Sequence, residues 1–451
     1  MGTGIVKTAL RGVAIFVLLF WLTPAFAQQQ GAEPESLQAQ YDATFQQMLR
    51  SPSNLDIMFK FAGIAVRIGN YEAAISTLER MLLFNPELPR IRLELGVLYF
   101  RLGSFDVSRS YLKRAIEAKD VPQEVRTRVE VFLDEIDKKS ARNRFTGSVF
   151  FGARFQTNAN AGPGSPGVRA AGVDAVLDNE FLGEEDYNLF ASAVVQHDLD
   201  LHTQENETWR TIARAYWSRQ GDQTQFDVGV LEATTGPRLA VFPDKFEDLT
   251  FRPYLLAGIV TLERARFFYT LGGGFEVRKP IGKRLIVDGG YELRRKEFRN
   301  TARRPNSDGL SGYEHAVGFG GRYAITEAIL LNLHFSAVRD DARVKVNSNT
   351  EYSVSSRLSV RYNAPFQITS WPWRSVFSVS RVVSNYSDPN PAVDPDIERL
   401  DHEWRLTLTN SFGLTEEWSI ILQLQRVINN SNLPNFEFEN DTVLLGASWR
   451  F

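Results

Sequence analysis

Two hydrophobic periodicities divide the chain. Over residues 28–140 the apolar positions recur at the helical period near 3.6, whereas over residues 141–451 they alternate with polar positions at a period of 2. The change in period predicts a helical domain followed by a long array of β-strands. The fold class we expect is therefore α + β, with the two kinds of element in separate domains.

The helical part repeats at a spacing of about 34 residues. At that spacing Gly69 matches Gly103 and Ala74 matches Ser108. This is the tetratricopeptide (TPR) pattern, in which a glycine ends the first helix of each pair and a small residue lets two helices approach closely. The pattern predicts two helix pairs, and such a short stack needs a cap helix at each end.

The first helices of the two pairs line the concave face of such a stack, and this face is apolar. A groove for an unfolded client would use the following residues: Phe59, Val66, Leu93, Val97 and Phe100. The alternative is that the N-terminal cap helix, predicted over Pro34 to Leu49, packs across the groove, because a bare apolar groove is a liability in a monomer. A second cap helix is predicted over Gln123 to Lys138.

The strand array contains about fourteen segments of roughly ten residues, the length that a membrane barrel requires. In one of them Leu331, Leu333 and Phe335 alternate with Asn332 and His334. A soluble sandwich would alternate in the same way. The segments begin near Phe145, Asp186, Thr208, Gln225, Arg252, Arg266, Arg284, Gly312, Ala328, Glu351, Arg374, His402, Glu417 and Asp441.

Three further features favour a transmembrane barrel over a sandwich. Tryptophans such as Trp209 and Trp404 lie near segment ends, as in interfacial girdles. Long and short connections alternate in the second half, as in outer-membrane barrels. The last strand carries Trp449 and ends at Phe451, which resembles a barrel-assembly signal. An even strand number then predicts that the helical domain lies in the periplasm, below the barrel.

Charged side chains at polar strand positions are predicted to face the lumen. The cationic positions of this candidate polar path are Arg210, Arg214, Arg294, Arg357, Arg361 and Arg405. Acidic residues such as Asp288, Glu292 and Glu403 occur among them along the sequence. Because the signs are mixed, the sequence argues against a simple charge-selective filter.

The first 27 residues have the pattern of a signal peptide. Lys7 and Arg11 precede the apolar run Val13 to Leu22, and Ala25-Phe26-Ala27 suits cleavage before Gln28. A retained membrane anchor is the alternative, but the run is shorter than the roughly 20 residues that a spanning helix needs. The chain has 0 Cys, so we expect neither disulfides nor an N-terminal lipid anchor on cysteine.

The sequence indicates no enzyme and no cofactor. A formal charge of -3 lacks the basic excess of nucleic-acid binders. The glycine runs at Gly272 to Gly274 and Gly318 to Gly321 are predicted to lie inside strands rather than to form phosphate loops. The 5 His show no spacing typical of a metal site. We therefore assign no catalytic, cofactor or metal residues.

Several stretches resemble the surface lipoprotein assembly modifiers, the Slam proteins. The segment from Asn85 to Leu95 resembles the second repeat of that family, and Pro122 to Ile136 resembles its closing helix. Phe155 to Pro163 is similar to the aromatic-Asp-Ser-Asn stretch after the first family strand, with Gln156 and Thr157 departing from it. Asn430-Ser431-Asn432 with Phe436 and Phe438 resembles the last hairpin, with Phe in place of the usual Tyr.

The resemblance implies delivery of client proteins, lipid-anchored or soluble, across the outer membrane to the cell surface. It implies as partners the client, the barrel-assembly machinery and outer-membrane lipid, and we expect a monomer. Two alternatives stay open. One is an exopolysaccharide exporter, although such exporters carry longer repeat arrays; the other is a passive porin.

Overall fold

The structure is a computed structural model that describes residues 37–117, 121–203, 205, 207–246 and 248–451. It divides into two compact units, Met1–Asp137 and Lys138–Phe451. The predicted signal peptide lies outside the described residues, as does the predicted start of the first cap helix. Among the described residues, no helix is long and apolar enough to cross a membrane.

The first unit is a TPR-like stack of helices. Gly69 and Gly103 have φ angles of 83° and 75° and end the first helix of each pair, as predicted, because a glycine adopts this left-handed conformation without strain. The described helices are α1 (Leu37–Arg50), α2 (Leu55–Arg67), α3 (Tyr71–Phe84), α4 (Pro89–Arg101), α5 (Phe105–Glu117) and α6 (Gln123–Ser140).

Close helix approach within each pair depends on small residues. Ala74 and Ser108 are both fully buried, as the repeat pattern predicts. The Ser108 hydroxyl donates to the Gly96 carbonyl at 2.7 Å, so α4 and α5 lie almost in backbone contact. A Cβ atom at Gly96 would lie 2.6 Å from the Leu112 side chain, so a larger residue does not fit there.

The second unit is a closed barrel of fourteen antiparallel strands. Its strands are β1 (Asn143–Gln156), β4 (Asp186–Asp200), β5 (Thr208–Gln220), β6 (Val228–Ala240), β7 (Thr250–Leu262), β8 (Ala265–Ile281), β9 (Leu285–Phe298), β10 (Gly312–Ala324), β11 (Ile329–Ala342), β12 (Asn349–Tyr362), β13 (Trp373–Tyr386), β14 (Leu400–Gly413), β15 (Trp418–Ser431) and β16 (Phe438–Arg450). Each of the fourteen predicted segments corresponds to one of these strands.

Pairing between β1 and β16 closes the barrel, with Gly152 opposite Gly446. We call the end of the barrel that carries the β8–β9, β10–β11 and β14–β15 connections the turn end, and the opposite end the loop end. Because every neighbouring pair is antiparallel, β1 begins at the turn end. The glycine runs lie inside β8 and β10, as predicted.

Two features of the connections differ from the sequence prediction. A small hairpin between β1 and β4, formed by β2 (Gly167–Ala170) and β3 (Val173–Val176), was not predicted. Loop lengths also alternate less regularly than expected, because the β12–β13 connection at the turn end runs from residue 363 to 372. Phe366 and Gln367 in that connection have φ angles of 54° and bend the chain there.

Candidate functional site: the barrel lumen and its loop-end hairpin

Ion pairs between non-neighbouring strands identify the lumen face. Arg294 on β9 lies 3.4 Å from Glu232 on β6, although β7 and β8 intervene. The Tyr254 hydroxyl on β7 likewise donates to Glu292 on β9 at 2.8 Å. Strands are spaced about 4.8 Å apart, so side chains can meet across intervening strands only where they converge inside the barrel. Arg294, Glu232, Tyr254 and Glu292 therefore face the lumen.

The strand register extends this assignment around the barrel, since directly paired residues share a face. Gly320 pairs with Asp288 on one side and with His334 on the other, and His334 pairs in turn with Ser355. Followed in this way, all six arginines of the predicted polar path lie on the lumen face. The residues between them carry exposed apolar side chains on the outer face, including Leu231, Leu255, Leu271, Phe319, Leu333, Val354, Phe377 and Leu445.

One part of the lumen wall, from β4 to β11, holds most of its cations in ion pairs. Arg294 contacts Glu232, Glu292 and Glu314. Lys296 bonds to Glu314 at 3.1 Å and also to Asp340. On the same wall Arg210 lies 2.7 Å from Asp198, and Arg214 lies 3.6 Å from Glu232. The predicted residues Arg210, Arg214 and Arg294 are therefore neutralised by neighbouring carboxylates.

A second part of the wall, from β10 to β15, has a different character. It encloses a cavity of about 770 Å³ that is lined by Arg322, Arg357, Arg374 and Arg405 together with serine, threonine, asparagine and glutamine side chains. We call this the arginine wall. Arg357 and Arg405 were predicted lumen residues, and the structure adds Arg322 and Arg374. Their positions in alternating strands could have revealed them, but their clustering depends on the register.

Arg361, the remaining predicted cation, lies on the same face at the turn end. It is paired directly with Arg374 in the β12–β13 register and donates to the Glu327 carbonyl at 3.3 Å. Two arginines therefore stand opposite each other on adjacent strands. Like charges in this arrangement are unfavourable unless an anion lies between them.

The hairpin formed by β2 and β3 is bound to other loops at the loop end. Arg169 lies 2.8 Å from Asp394 in the β13–β14 connection and exchanges two hydrogen bonds of 2.9 Å with Asn435 in the β15–β16 connection. Gly172 donates its N–H to the Val393 carbonyl at 3.1 Å. Since β1 and β13 are four strands apart, the hairpin spans part of the loop-end opening.

Asp394 is the buried residue in this contact. Its side chain is 2 % exposed. The backbone N–H of Asp396 and the Arg169 guanidinium both stabilise its charged form, so the pKa of the Asp394 carboxyl is lowered. Hydrogen bonds from Arg169 to Asp174 and Asp394 raise the pKa of the arginine. The contact is thus a charged latch between the hairpin and the rim of the barrel.

The predicted assembly signal lies at the seam of the barrel. Trp449 stacks on Trp418 with ring centroids 6.3 Å apart, and its indole N–H donates to Glu417 at 3.0 Å. Phe451 donates its N–H to the Gly147 carbonyl at 3.1 Å and accepts the Gly147 N–H at 2.9 Å. A Cβ atom at Gly147 would lie 2.6 Å from the Phe451 ring, so glycine leaves room for this aromatic residue.

The predicted groove of the helical unit is mostly covered, but by the C-terminal helix. Leu93 and Val97 are 2 % and 4 % exposed because they pack against Val125, Val129 and Ile136 of α6. Phe100 meets Phe132 of α6 edge to face at 5.3 Å. Leu93 and Val97 become accessible only if α6 moves. The sequence left open whether this face is covered, and it had assigned the covering role to the N-terminal cap helix.

The N-terminal cap helix packs on another side of α2. Tyr41 and Phe45 of α1 lie 4.8 Å and 5.6 Å from the ring of Phe61. Phe59 and Val66 stay half-buried, and Arg90 lies over the Phe59 ring at 5.3 Å. Of the five predicted groove residues, Phe59 and Val66 therefore remain partly accessible away from α6, and Phe100 is also only half-buried.

Within the described ranges, no group of three or more His, Cys, Asp or Glu side chains is arranged to hold a metal ion. The polar groups that converge in the lumen are arginines, carboxylates, hydroxyls and amides. Such groups bind and orient a ligand through hydrogen bonds and charge.

No family model and no curated protein matches the chain. Solved structures with local similarity include the Yersinia enterocolitica type III secretion chaperone SycD in complex with a peptide of the translocator YopD, at 18% identity over 23% of this chain and 82% of that chain, with a TM-score of 0.22. PcrH in complex with the chaperone binding region of PopD matches at 14% identity over 23% of this chain and 81% of that chain, with a TM-score of 0.22.

A tetratricopeptide repeat protein from Parabacteroides merdae matches at 18% identity over 23% of this chain and 40% of that chain, with a TM-score of 0.21. Each of these three matches covers 23% of this chain.

Proposed function

We propose that the protein is an outer-membrane barrel that delivers client proteins, lipid-anchored or soluble, across that membrane to the cell surface. In this proposal the barrel forms the path or insertion site, and the helical unit engages the client in the periplasm. The resemblance of several sequence stretches to the Slam proteins supports this assignment. No catalytic step is part of the proposal.

The observation that carries the membrane part of the proposal is the inverted distribution of side chains in the barrel. Leu255 and Phe319 on the outer face are 70% and 62% exposed, whereas Arg294 and Glu292 face inward. Lipid is the solvent in which such an outer face is favourable, and a closed barrel satisfies its backbone hydrogen bonds without an open edge. The stacked Trp418 and Trp449 suit the interfacial region of a bilayer.

The client part of the proposal rests on the helical unit and the lumen. Phe59 and Val66 leave an apolar strip on α2 that an extended client segment can contact. The lumen offers polar side chains on every strand rather than a continuous apolar plug. The hairpin latched by Arg169 and Asp394 then lies at the end where a client would leave.

The test is surface exposure of a client in intact cells. The full chain is expressed together with a candidate lipoprotein encoded by a neighbouring gene, and protease sensitivity of that lipoprotein is measured. We expect cleavage that depends on the barrel and falls at least threefold with Phe59→Ser. Lys60→Ser, an exposed change on the same helix, is the matched control and should leave cleavage unaltered.

Both variants are first compared for heat-dependent gel migration and circular dichroism, so that a loss of folding is recognised. Unchanged surface exposure for all clients encoded nearby would contradict the proposal. Release of a polysaccharide that depends on this barrel would replace it with the exporter alternative.

A further inference from the structure

We propose that the arginine wall is a binding track for an extended, acidic polypeptide segment. The polypeptide nature of this ligand rests on the proposed function, whereas its negative charge follows from the side chains of the wall. The track runs from the turn end of the lumen along β12, β13 and β14.

In its described lining, the arginine wall lacks carboxylates that would balance its positive charge. Among the described residues that line the 770 Å³ cavity there are four arginines and no carboxylate. Arg405 contacts Glu403 at 2.7 Å outside this lining, but in the part of the chain that the structure describes neither Arg357 nor Arg374 has a carboxylate within ion-pair distance. On the part of the lumen wall from β4 to β11, Arg294 alone contacts three carboxylates. A ligand must therefore supply the negative charge that the arginine wall lacks.

Two positively charged side chains lie opposite each other at the turn end. Arg361 and Arg374 are direct cross-strand partners on the lumen face. Directly opposite residues have Cβ atoms about 5 Å apart, and like charges on such residues destabilise the sheet. Arginine forks bind carboxylates through two parallel hydrogen bonds. This pair is the expected point of entry for an acidic side chain.

The cations of the arginine wall are spread along the strands over a distance that exceeds the size of a small anion. At about 3.3 Å per residue, Arg357 lies roughly 13 Å beyond Arg361 along β12. Arg405 lies roughly 20 Å beyond Ser411, which pairs with Arg374 at the level of Arg361, by the same estimate. A single small anion would contact only one or two of these side chains. An extended chain that carries several carboxylates can contact all of them.

The neutral residues between the arginines favour a peptide over a phosphate polymer. Asn332, Gln423 and Gln425 line the cavity beside serine and threonine hydroxyls. These side chains both donate and accept hydrogen bonds, as a peptide backbone requires. Phosphate oxygens only accept, so half of this hydrogen-bonding capacity would be unused by a phosphate polymer. Val376 and Leu330 add apolar contacts for other client side chains.

The track ends before the loop end of the lumen. Glu351 on β12 and Asp401 on β14 both pair with Ser384 on the β13 strand between them. Glu403 lies two residues from Asp401, toward the turn end and on the same face. These carboxylates repel an acidic segment. The arginine wall is thus positioned to hold such a segment in the half of the lumen nearest the turn end.

The proposal is tested by direct binding to the full-length protein in detergent micelles at low ionic strength. The probe is a fluorescein-labelled decamer of glutamate, and its anisotropy is titrated. We expect saturable binding, with no saturable binding of a lysine decamer. Arg357→Gln combined with Arg374→Gln should raise the Kd at least tenfold, and Arg357→Gln alone at least threefold.

Arg252→Gln is the matched control, because Arg252 faces the lumen near the same end but lies 3.3 Å from the Glu276 carboxylate. It should change the Kd less than twofold. An unchanged Kd in the double variant, an equal loss with Arg252→Gln, or absence of saturable binding would overturn the proposal. Inorganic polyphosphate that binds more tightly than the glutamate decamer would also overturn the assignment to an acidic peptide.

The binding assay and the surface-exposure assay can fail independently. Binding of the glutamate decamer with unaltered client exposure would leave the track in place and remove the proposed function. Client exposure without decamer binding would remove the track alone. Heat-dependent gel migration of each variant verifies that the barrel is folded. If the double variant does not fold, the Kd of Arg357→Gln alone tests the proposal.

Discussion

The helical unit and the barrel place their apolar side chains in opposite ways. In the helical unit Phe61, Leu95 and Leu112 are 2% exposed or less. In the barrel the most deeply buried side chains include Asn188 and Asp186, whereas Leu255 is 70% exposed. The two units thus differ in what they bury: burial of apolar groups stabilises the helical unit, whereas the barrel encloses polar side chains and exposes apolar ones.

The difference teaches that a leucine has a different role in each unit. Leu95 is part of a conventional core whose members come from three or more helices. Leu255 lies on an outer surface between Thr235 and Gly273 and contacts few other side chains. Substitutions at matched positions should therefore separate the two units experimentally.

The largest effect is expected for Leu95→Ala in the helical unit. Removing a fully buried leucine side chain leaves a cavity and should lower the free energy of unfolding of this unit by about 2–5 kcal/mol. Denaturant unfolding of the full chain, followed by helical circular dichroism, measures the change. Leu83→Ala is the control on a side chain that is 84% exposed, and a comparable loss there would contradict the assignment of the core.

The next effect is expected for Leu255→Arg on the outer face of β7. A cation placed at the middle of a bilayer should destabilise the barrel by about 2–4 kcal/mol in lipid. Folding titrations of the full chain into phospholipid vesicles measure this difference, with Leu255→Ala as the control for lost side-chain area. If Leu255→Arg folded into vesicles as well as Leu255→Ala, the outer face would not be facing lipid.

A smaller and local effect is expected for Asp394→Asn in the latch. Without the carboxylate, Arg169 loses its partner at the rim, and amides of residues 167–176 should exchange hydrogen several-fold faster. Hydrogen exchange followed by mass spectrometry on the full chain measures this rate. Asp388→Asn, an exposed change in the same connection, should leave the rate unaltered.

The latch also predicts a pH dependence. Because the pKa of Asp394 is lowered in the folded protein, its contribution is present above the ordinary aspartate pKa of about 3.9 and is lost as the pH falls through the lowered value. Exchange in residues 167–176, corrected for intrinsic rates, should therefore stay slow from neutral pH to about pH 4 and accelerate below it. Equal protection at pH 7 and pH 2 would show that the charge of Asp394 does not hold the hairpin.

The repeat helices and all fourteen barrel strands could be predicted because their signals are local. Gly69 and Gly103 mark helix ends by their own conformation, and alternation in a strand such as β11 is legible from its own residues. The hairpin of β2 and β3 gave no such signal, since its strands have four residues each and depend on contacts with Asp394 and Asn435 far along the chain.

The charge pattern of the lumen was only partly predictable. Arg210, Arg294 and Arg357 were assigned to the lumen from alternation, yet the sequence suggested a mixture of signs. In the structure carboxylates surround Arg294, whereas Arg361 lies beside another cation, because the register pairs Glu314 with Arg294 and Arg374 with Arg361. Which charges become neighbours depends on the relative offset of strands, and alternation within one strand does not contain that offset.

The seam between Gly147 and Phe451 has a consequence for the order of biogenesis. The two residues are joined by reciprocal backbone hydrogen bonds, although Gly147 lies in the first strand of the barrel and Phe451 follows the last one. The edge of β1 that pairs with β16 therefore stays unpaired until the chain has supplied that strand. Such an edge exposes unpaired backbone groups to foreign strands, so we expect a chaperone or template to shield it.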